Sequence, residues 1–466
     1  MTLQRSLLCS LAVLISLPSP APASVLGLRG AVDVAVSPDG AHVYVLGKGD
    51  DAVSEWARDP ATGALAYLGR QLGENQSTAN PPGTVPDFDR PEAIAISPDG
   101  KHVYIATSNT DPNQMPPTHT SVAVFARDSA SGELSYLQSI LDGDGGASLQ
   151  KPTGVAVSPD GASVYVTDFR VNTSEGAIDA FSRDPGTGFL TLRQVISHDP
   201  ALVDGLDRAH FVTVSGDGKS VYVTCHGTLG NDAAVGAYVR DPQTGMLSFV
   251  GALQHGVGGV TGLADPYHAR VSPDGAFLYV ASHTRASPDI EGSIDVFPRD
   301  PASGALSAGR SILESDIGVV SPDDLRLSPD GSRLYASAQG TIGTYDGKLV
   351  AFSRDTASGA LAVVDLLADD LDGVDGLKGA LALDLSPDGQ TIYVASEQDA
   401  PPLSTPIVKG AVGVFGRAAS PPLSFVEVHF APEPTPGAAS VAALAALAAL
   451  AQSPSESQSR GRRKTS

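Results

Sequence analysis

Two histidines and four carboxylates stand at equivalent places in a repeating sequence. Four and five residues before a recurring Ser-Pro-Asp-Gly string lie Asp33, Glu92, His210, His268, Asp323 and Asp324, with Val32, Thr153, Tyr267 and Leu381 among the others there. Seven residues before the string, copies two to five hold Arg90, Lys151, Arg208 and Asp265. A histidine with an orienting carboxylate in hydrogen-bond reach can serve as a general base. Arginines beside it can hold an anionic group. Mixed imidazole and carboxylate ligands would also suit zinc or calcium. No linear metal motif accompanies them. Asp142-Gly143-Asp144-Gly145 starts like a calcium loop but lacks the later glutamate, and the run Asp370, Asp372, Asp375 is similarly incomplete. Both read as acidic turns, so no metal site and no cofactor is expected, although calcium or zinc would suit the donors. Cys225 adjoins His226, but a lone cysteine on an apolar run reads as core.

The spacing of these residues follows from a repeat. The serine of the string falls at 37, 97, 158, 215, 272, 328 and 386, a near-constant period that marks a repeat architecture. One unit, VAVSPDGASVYVTDFRVNTSEGAIDAFSRDPGTGFLTLRQVI, runs from Val155 to Ile196. It holds four short runs rich in the valine, isoleucine and aromatic residues that strands prefer. Proline and glycine supply turn chemistry between the first two runs and between the last two. Four antiparallel strands per unit, repeated around an axis, predict an all-β chain folded as a seven-bladed β-propeller. A tyrosine recurs on the second strand (Tyr44 through Tyr393) and an aromatic on the third (Trp56 through Phe415); both read as packing between blades, and the Arg-Asp pairs ending the third strand read as structural turns. The last blade has its own fourth strand at 423–430, so the ring is expected to close by side-chain packing between blades one and seven.

The regular turns must share one rim, which leaves the irregular loops at 108–120, 226–232, 283–292 and 396–410 on the other. Functional groups collect on such loops. The residues before each string should reach that rim at the mouth of the central channel. His210, Glu92 and His268 are therefore the candidate catalytic groups, with Glu92, Asp323 or Asp324 as the carboxylate orienting His210. Arg90, Arg208, Asp33, Asp323, Asp324, His226 and His283 are candidate ligand contacts; His226 and His283 each open a second-to-third-strand loop.

Composition and the chain ends bound the rest. A net charge of -22 repels nucleic acid and anionic lipid, and neither is expected as a partner. Residues 1–23 combine Arg5, an apolar run from Leu7 to Leu17 and Ala21-Pro22-Ala23, the pattern of a cleaved export signal. The propeller is expected over 24–430. Residues 431–466 form an Ala/Leu-rich tail whose apolar run, Ala438 to Ala451, is shorter than the ~20 residues of a membrane span. Pro432-Glu433-Pro434, an apolar helix and a basic cluster resemble PEP-CTERM sorting signals, here with a serine-rich spacer before the cluster. An exported, periplasmic, extracellular or surface protein is expected, monomeric, with a small molecule or an extracellular protein as its partner.

VYVTD, SPDG and DPxTGxL resemble the lactonase family of seven-bladed propellers, which includes 6-phosphogluconolactonase-like proteins, and the related YVTN surface repeats. The likeness spans roughly 24–430. It implies that a histidine leading into an inner strand, here His210 in RAHFVTVSGDG or His268 in YHARVSPDG, activates water against a lactone carbonyl while Arg208 or Arg90 holds an anionic group. Two functions follow as expectations: a propeller that binds a small ligand or partner at its irregular rim, or a lactone hydrolase with a channel-mouth histidine as base.

Overall fold

A computed structural model describes residues 26–73, 84–108, 120–170, 176–199, 205–227, 233–283, 291–341, 345–371, 373–397, 410–417 and 423–431. The segment read as an export signal and, apart from Ala431, the sorting-like tail lie outside these residues, as do most of the four irregular loops. The chain forms seven four-stranded antiparallel sheets, each built from four consecutive strands. Blade one comprises β1 (Ala31–Val36), β2 (His42–Gly47), β3 (Ala52–Arg58) and β4 (Leu65–Leu72). The other six blades span 91–141, 152–197, 209–254, 266–313, 322–368 and 380–430. Among the described residues, helix is confined to two single turns. Among the described residues, no helix is long and apolar enough to cross a membrane.

The repeated string does more than turn the chain. In blade three, Ser158 Oγ donates to Asp160 Oδ1 at 2.6 Å and accepts from the Ser163 amide at 2.9 Å. Gly161 sits at φ 69°, a region open to glycine, and closes the hairpin. The aspartate also faces the next blade. Arg240, at the end of that blade's third strand, reaches Asp160 at 2.8 Å and donates through Nε to Tyr165 at 2.9 Å. Tyr165 in turn donates to the Gly245 carbonyl at 2.7 Å. The recurrent tyrosine and arginine are thus halves of a buried polar joint between blades as well as packing and turn residues. Hydrogen bonds to charged groups contribute about 1.5–3 kcal/mol each, which explains why the same residues recur in blade after blade.

The same joint closes the ring. Arg58 of blade one donates to Tyr393 of blade seven at 2.8 Å, and Tyr393 donates to the Gly63 carbonyl at 2.7 Å. No strand is exchanged between the two blades, because residues 380–430 supply the whole seventh sheet.

One aromatic breaks the pattern. Tyr238 takes the third-strand place held elsewhere by phenylalanine or tryptophan. It is fully buried, and its hydroxyl has no hydrogen-bond partner among the described residues. A buried polar group left unmade costs about 1–3 kcal/mol. Tyr238→Phe is therefore expected to stabilise the protein by about 1 kcal/mol or more. A rise in the urea midpoint with an unchanged slope is the result to look for; a fall would mean the hydroxyl has a partner in solution.

Candidate functional site

Every inner strand carries an irregularity near its start. Pairing skips one residue between Ala31 and Asp33, Pro91 and Ala93, Pro152 and Gly154, Ala209 and Phe211, and Ala380 and Ala382. In blades five and six it skips two, from Pro266 to Ala269 and from Pro322 to Leu325. Such bulges re-aim side chains. The skipped residue five before the repeated serine, namely Val32, Glu92, Thr153, His210, Tyr267, Asp323 and Leu381, faces the channel mouth in all seven blades.

A second ring stacks on this one. The residue eleven after each serine directly follows the second strand, and its amide donates to the carbonyl of the residue seven before the serine. All seven bonds form, from Lys48 to Gly30 at 3.0 Å through Glu397 to Gly379 at 3.0 Å. The carbonyl residue is left-handed in five blades, including Arg90 (φ 48°) and Arg208 (φ 53°). An arginine accepts that geometry at a cost that glycine escapes, and such outliers gather at functional sites.

Together these positions enclose a cavity of about 330 Å³. Its sixteen lining residues all occupy four places in the repeat: seven, five and four before the serine, and eleven after it. Of the residues singled out from sequence, the wall holds Asp33, Arg90, Glu92, His210, His268, His283 and Asp323. Lys48, Gln339 and Glu397 also face it. Sequence reasoning passed over these three, yet their constant offset from the serine was available as a signal.

Blades one to three supply the three cations of the wall, alongside Asp33 and Glu92. Lys48 Nζ lies 2.6 and 2.7 Å from the two Glu92 oxygens, and Ser108 Oγ also donates to Glu92. Lys151 lies over the Phe169 ring, 4.5 Å from its centre. Burial and the neighbouring cations Lys48, Arg90 and Arg208 hold its pKa below the usual lysine value, against the pull of Glu92. Among the described residues neither Lys151 nor Arg90 has a carboxylate partner, and Arg90 Nε is buried without a hydrogen bond.

Blades four to six supply imidazoles and a carboxylate. His210 Nδ1 makes a long contact of 3.5 Å with the Tyr267 carbonyl, and His268 Nδ1 lies 3.0 Å from the Asp323 carbonyl. A carbonyl only accepts, so each Nδ1 bears the proton and each Nε2 keeps its lone pair. His283 Nε2 lies 3.0 Å from Asp323 Oδ2, and its ring stacks on Tyr267 with centres 3.6 Å apart. That carboxylate accepts from Nε2, which leaves Nδ1 as the basic nitrogen of His283. Burial raises the Asp323 pKa, and His283 partly offsets the rise. Burial also pushes His210 down to about 4 and His268 well below its ordinary value.

Among the described residues no carboxylate orients His210, because each candidate is held elsewhere. Glu92 is taken by Lys48 and Ser108, and Asp323 by His283. Asp324 lies outside the cavity wall and binds Arg270 at 2.9 Å and Arg326 at 2.7 Å, while Arg326 also reaches Asp384 at 3.1 Å. Asp324 and Asp33 further accept strand-edge amides of the neighbouring blade, from Leu383 at 3.3 Å and Ile94 at 2.9 Å. Burial raises Asp33 to about 6. His226 packs behind the wall, 4.3 Å from the His210 ring and 3.5 Å from Asp265, and Arg208 also stands outside it. Away from the cavity, the Asp369, Asp370 and Asp375 carboxylates approach within 4.8 Å of one another, and Asp372 is not among the described residues.

A buried imidazole without a carboxylate has a measurable consequence. His210 is expected to stay neutral until the pH falls to about 4, seen as a histidine nitrogen titration in labelled protein that disappears in His210→Gln. A midpoint near the ordinary 6.5 would mean that water reaches the ring freely.

The comparisons with known proteins agree with this architecture. The model of the family described as lactonase, 7-bladed β-propeller, matches residues 69–198, 152–310 and 235–369, more than half of the chain. Antigen Lp49 of Leptospira interrogans is 28% identical over 88 residues; the match spans 18% of this chain and 18% of that protein, far less than its full length. Among solved structures, the periplasmic gluconolactonase of Pseudomonas aeruginosa superposes with a TM-score of 0.58 at 18% identity, covering 87% of this chain and all of the other. A 6-phosphogluconolactonase-like protein of Bacteroides uniformis gives 0.57 at 18% identity, covering 86% of this chain and all of the other. With seven matching blades and a family match across most of them, the chain belongs to the lactonase family of seven-bladed β-propellers.

Proposed function

We propose that the channel-mouth cavity binds a small polyhydroxylated lactone and hydrolyses it. The observation that carries this reading is a carboxylate-supported imidazole, Asp323–His283, in one cavity with two cations, Lys151 and Arg90, that lack carboxylate partners among the described residues. His283 Nδ1 takes a proton from water as the water oxygen attacks the lactone carbonyl carbon, and Asp323 stabilises the imidazolium so formed. Lys151 and Arg90 stabilise the oxyanion. The ring C–O bond then breaks, the imidazolium returns its proton to the leaving alkoxide, and a hydroxy acid is released. His210 and His268, neutral with Nε2 lone pairs, accept hydrogen bonds from substrate hydroxyls. The cavity, about 330 Å³, has the size of a small-ligand site. The name of the Pseudomonas relative, a periplasmic gluconolactonase, is consistent with this chemistry, and the leader read at 1–23 would bring the protein to its substrate outside the cytoplasm.

The test is proton release from a panel of sugar and aliphatic lactones by the protein lacking residues 1–23. Saturable turnover on a sugar lactone is the expected result. Saturable binding of lactones or aldonates without turnover would reduce the reading to a binding propeller.

A further inference from the structure

Two histidines away from the cavity occupy a place where the repeat usually avoids a titrating group. His42 and His102 stand five residues after the repeated serine, where the arginine of the next blade arrives. Arg127 Nη2 lies 2.7 Å from His42 Nδ1, and Arg183 Nη2 lies 2.7 Å from His102 Nδ1. A guanidinium only donates, so each Nδ1 must accept, and each ring is neutral with its proton on Nε2. In three other blades the place holds Ser163, Ser220 or Thr391, whose hydroxyl meets the arginine at 3.1, 3.0 and 3.2 Å. Phe277 and Arg333 fill the last two. Of these seven groups, only the imidazoles change charge near neutral pH.

We infer that His42 and His102 are acid-labile latches on the two flanks of blade two. His42 belongs to blade one and binds Arg127 of blade two; His102 belongs to blade two and binds Arg183 of blade three. Protonation at either place sets an imidazolium against a buried guanidinium. Little room is left to separate them, because His42 and His102 are 4–5% exposed and their rings fill the space where a side chain at Gly132 or Gly188 would stand. Blade two carries Glu92 and Ser108, and Arg90 directly precedes its first strand. Acid would therefore loosen one wall of the cavity before the rest of the ring.

The surrounding charges fix the sign. His42 faces Arg127, with Asp39 and Asp128 nearby; His102 faces Arg183, with Asp99, Asp184 and Lys101. The aspartates favour the charged ring, but Asp39 and Asp99 already bind the same arginines through both oxygens at 2.9 Å. Burial and the arginines prevail and hold both pKa values below the ordinary one. The unfolded chain then binds these protons more tightly than the folded one. The stability that the neutral rings provide is complete above about pH 6.5 and is lost as the pH falls below it. Buried carboxylates act the other way: Asp33, raised to about 6, and Asp51 and Asp179, raised to about 7, favour the fold as they gain protons. A global melting curve mixes both signs, so the test must be local.

Hydrogen exchange read by mass spectrometry, corrected for intrinsic rates, at pH 7.5 and pH 5 is that test. In the wild-type protein the amides of residues 91–141 should open at least about tenfold more at pH 5, relative to those of blades four to six. In the double variants His42→Ser/His102→Ser and His42→Asn/His102→Asn, which supply an acceptor without a titrating charge, this acid response should vanish even if overall stability drops. An unchanged response in both variants, or wild-type opening spread evenly over all blades, would overturn the inference.

Discussion

His283→Gln is expected to lower kcat/KM for a sugar lactone by about 10²–10⁴ while the protein stays folded. Glutamine keeps an N–H that can donate to Asp323 but has no basic nitrogen. Asp323→Asn should give a loss of similar order, because the amide cannot stabilise the imidazolium and favours the wrong tautomer. The double variant should be little worse than either single one, since the two side chains act as a unit. His210→Gln should cost less: its ring has no carboxylate support and is held neutral by burial, so it gives up a hydrogen bond to substrate and not the base. Initial rates of proton release in the four variants check this. A loss for His210→Gln that exceeds the loss for His283→Gln would move the base to blade four.

That ordering differs from the one the sequence suggests, and the difference has a physical origin. The repeated string made the seven blades legible, because turn chemistry and strand periodicity are local. The residue five before the serine was legible as a channel-mouth position for the same reason. Whether a carboxylate is free or already bound is not local. Glu92 is neutralised by Lys48, which comes from the neighbouring blade, and Asp324 by Arg270 of the adjacent inner strand as well as by Arg326 two residues along its own. The Lys48 and Arg270 contacts depend on neighbouring blades packing side by side. The bulge in each inner strand also breaks the alternation from which facing is read. It turns Asp323 to the cavity and leaves Asp324 buried against Arg270 and Arg326. The ring eleven after the serine was within reach. His226 and His283 were noticed there because they are histidines, whereas Lys48, Gln339 and Glu397 share the place without an obvious chemical label.

Lys151→Met should cost about 10²–10³ in kcat, the range for removing one donor to a developing oxyanion. A cation already paired in the free protein has to exchange partners before it can serve a transition state. Lys48 is in that position, bound to Glu92 at 2.6 Å, whereas Lys151 and Arg90 have no carboxylate partner among the described residues to give up. The loss in Lys48→Met should therefore be smaller than in Lys151→Met, and part of it should reflect a freed Glu92 charge. The pH profile separates an electrostatic role from mere shape. Burial and three nearby cations keep the Lys151 pKa below 10.5, so wild-type activity should decline on the alkaline side before an ordinary lysine would deprotonate. Lys151→Arg, if it retains activity, should carry that limb to higher pH, because a guanidinium stays protonated there. Inhibition by the aldonate product should weaken in Lys151→Met and in Arg90→Met, since the product carboxylate grows from the same oxygen that these cations hold. An alkaline limb that is identical in Lys151→Arg and wild type would assign the oxyanion to Arg90 and leave Lys151 as a wall of the cavity.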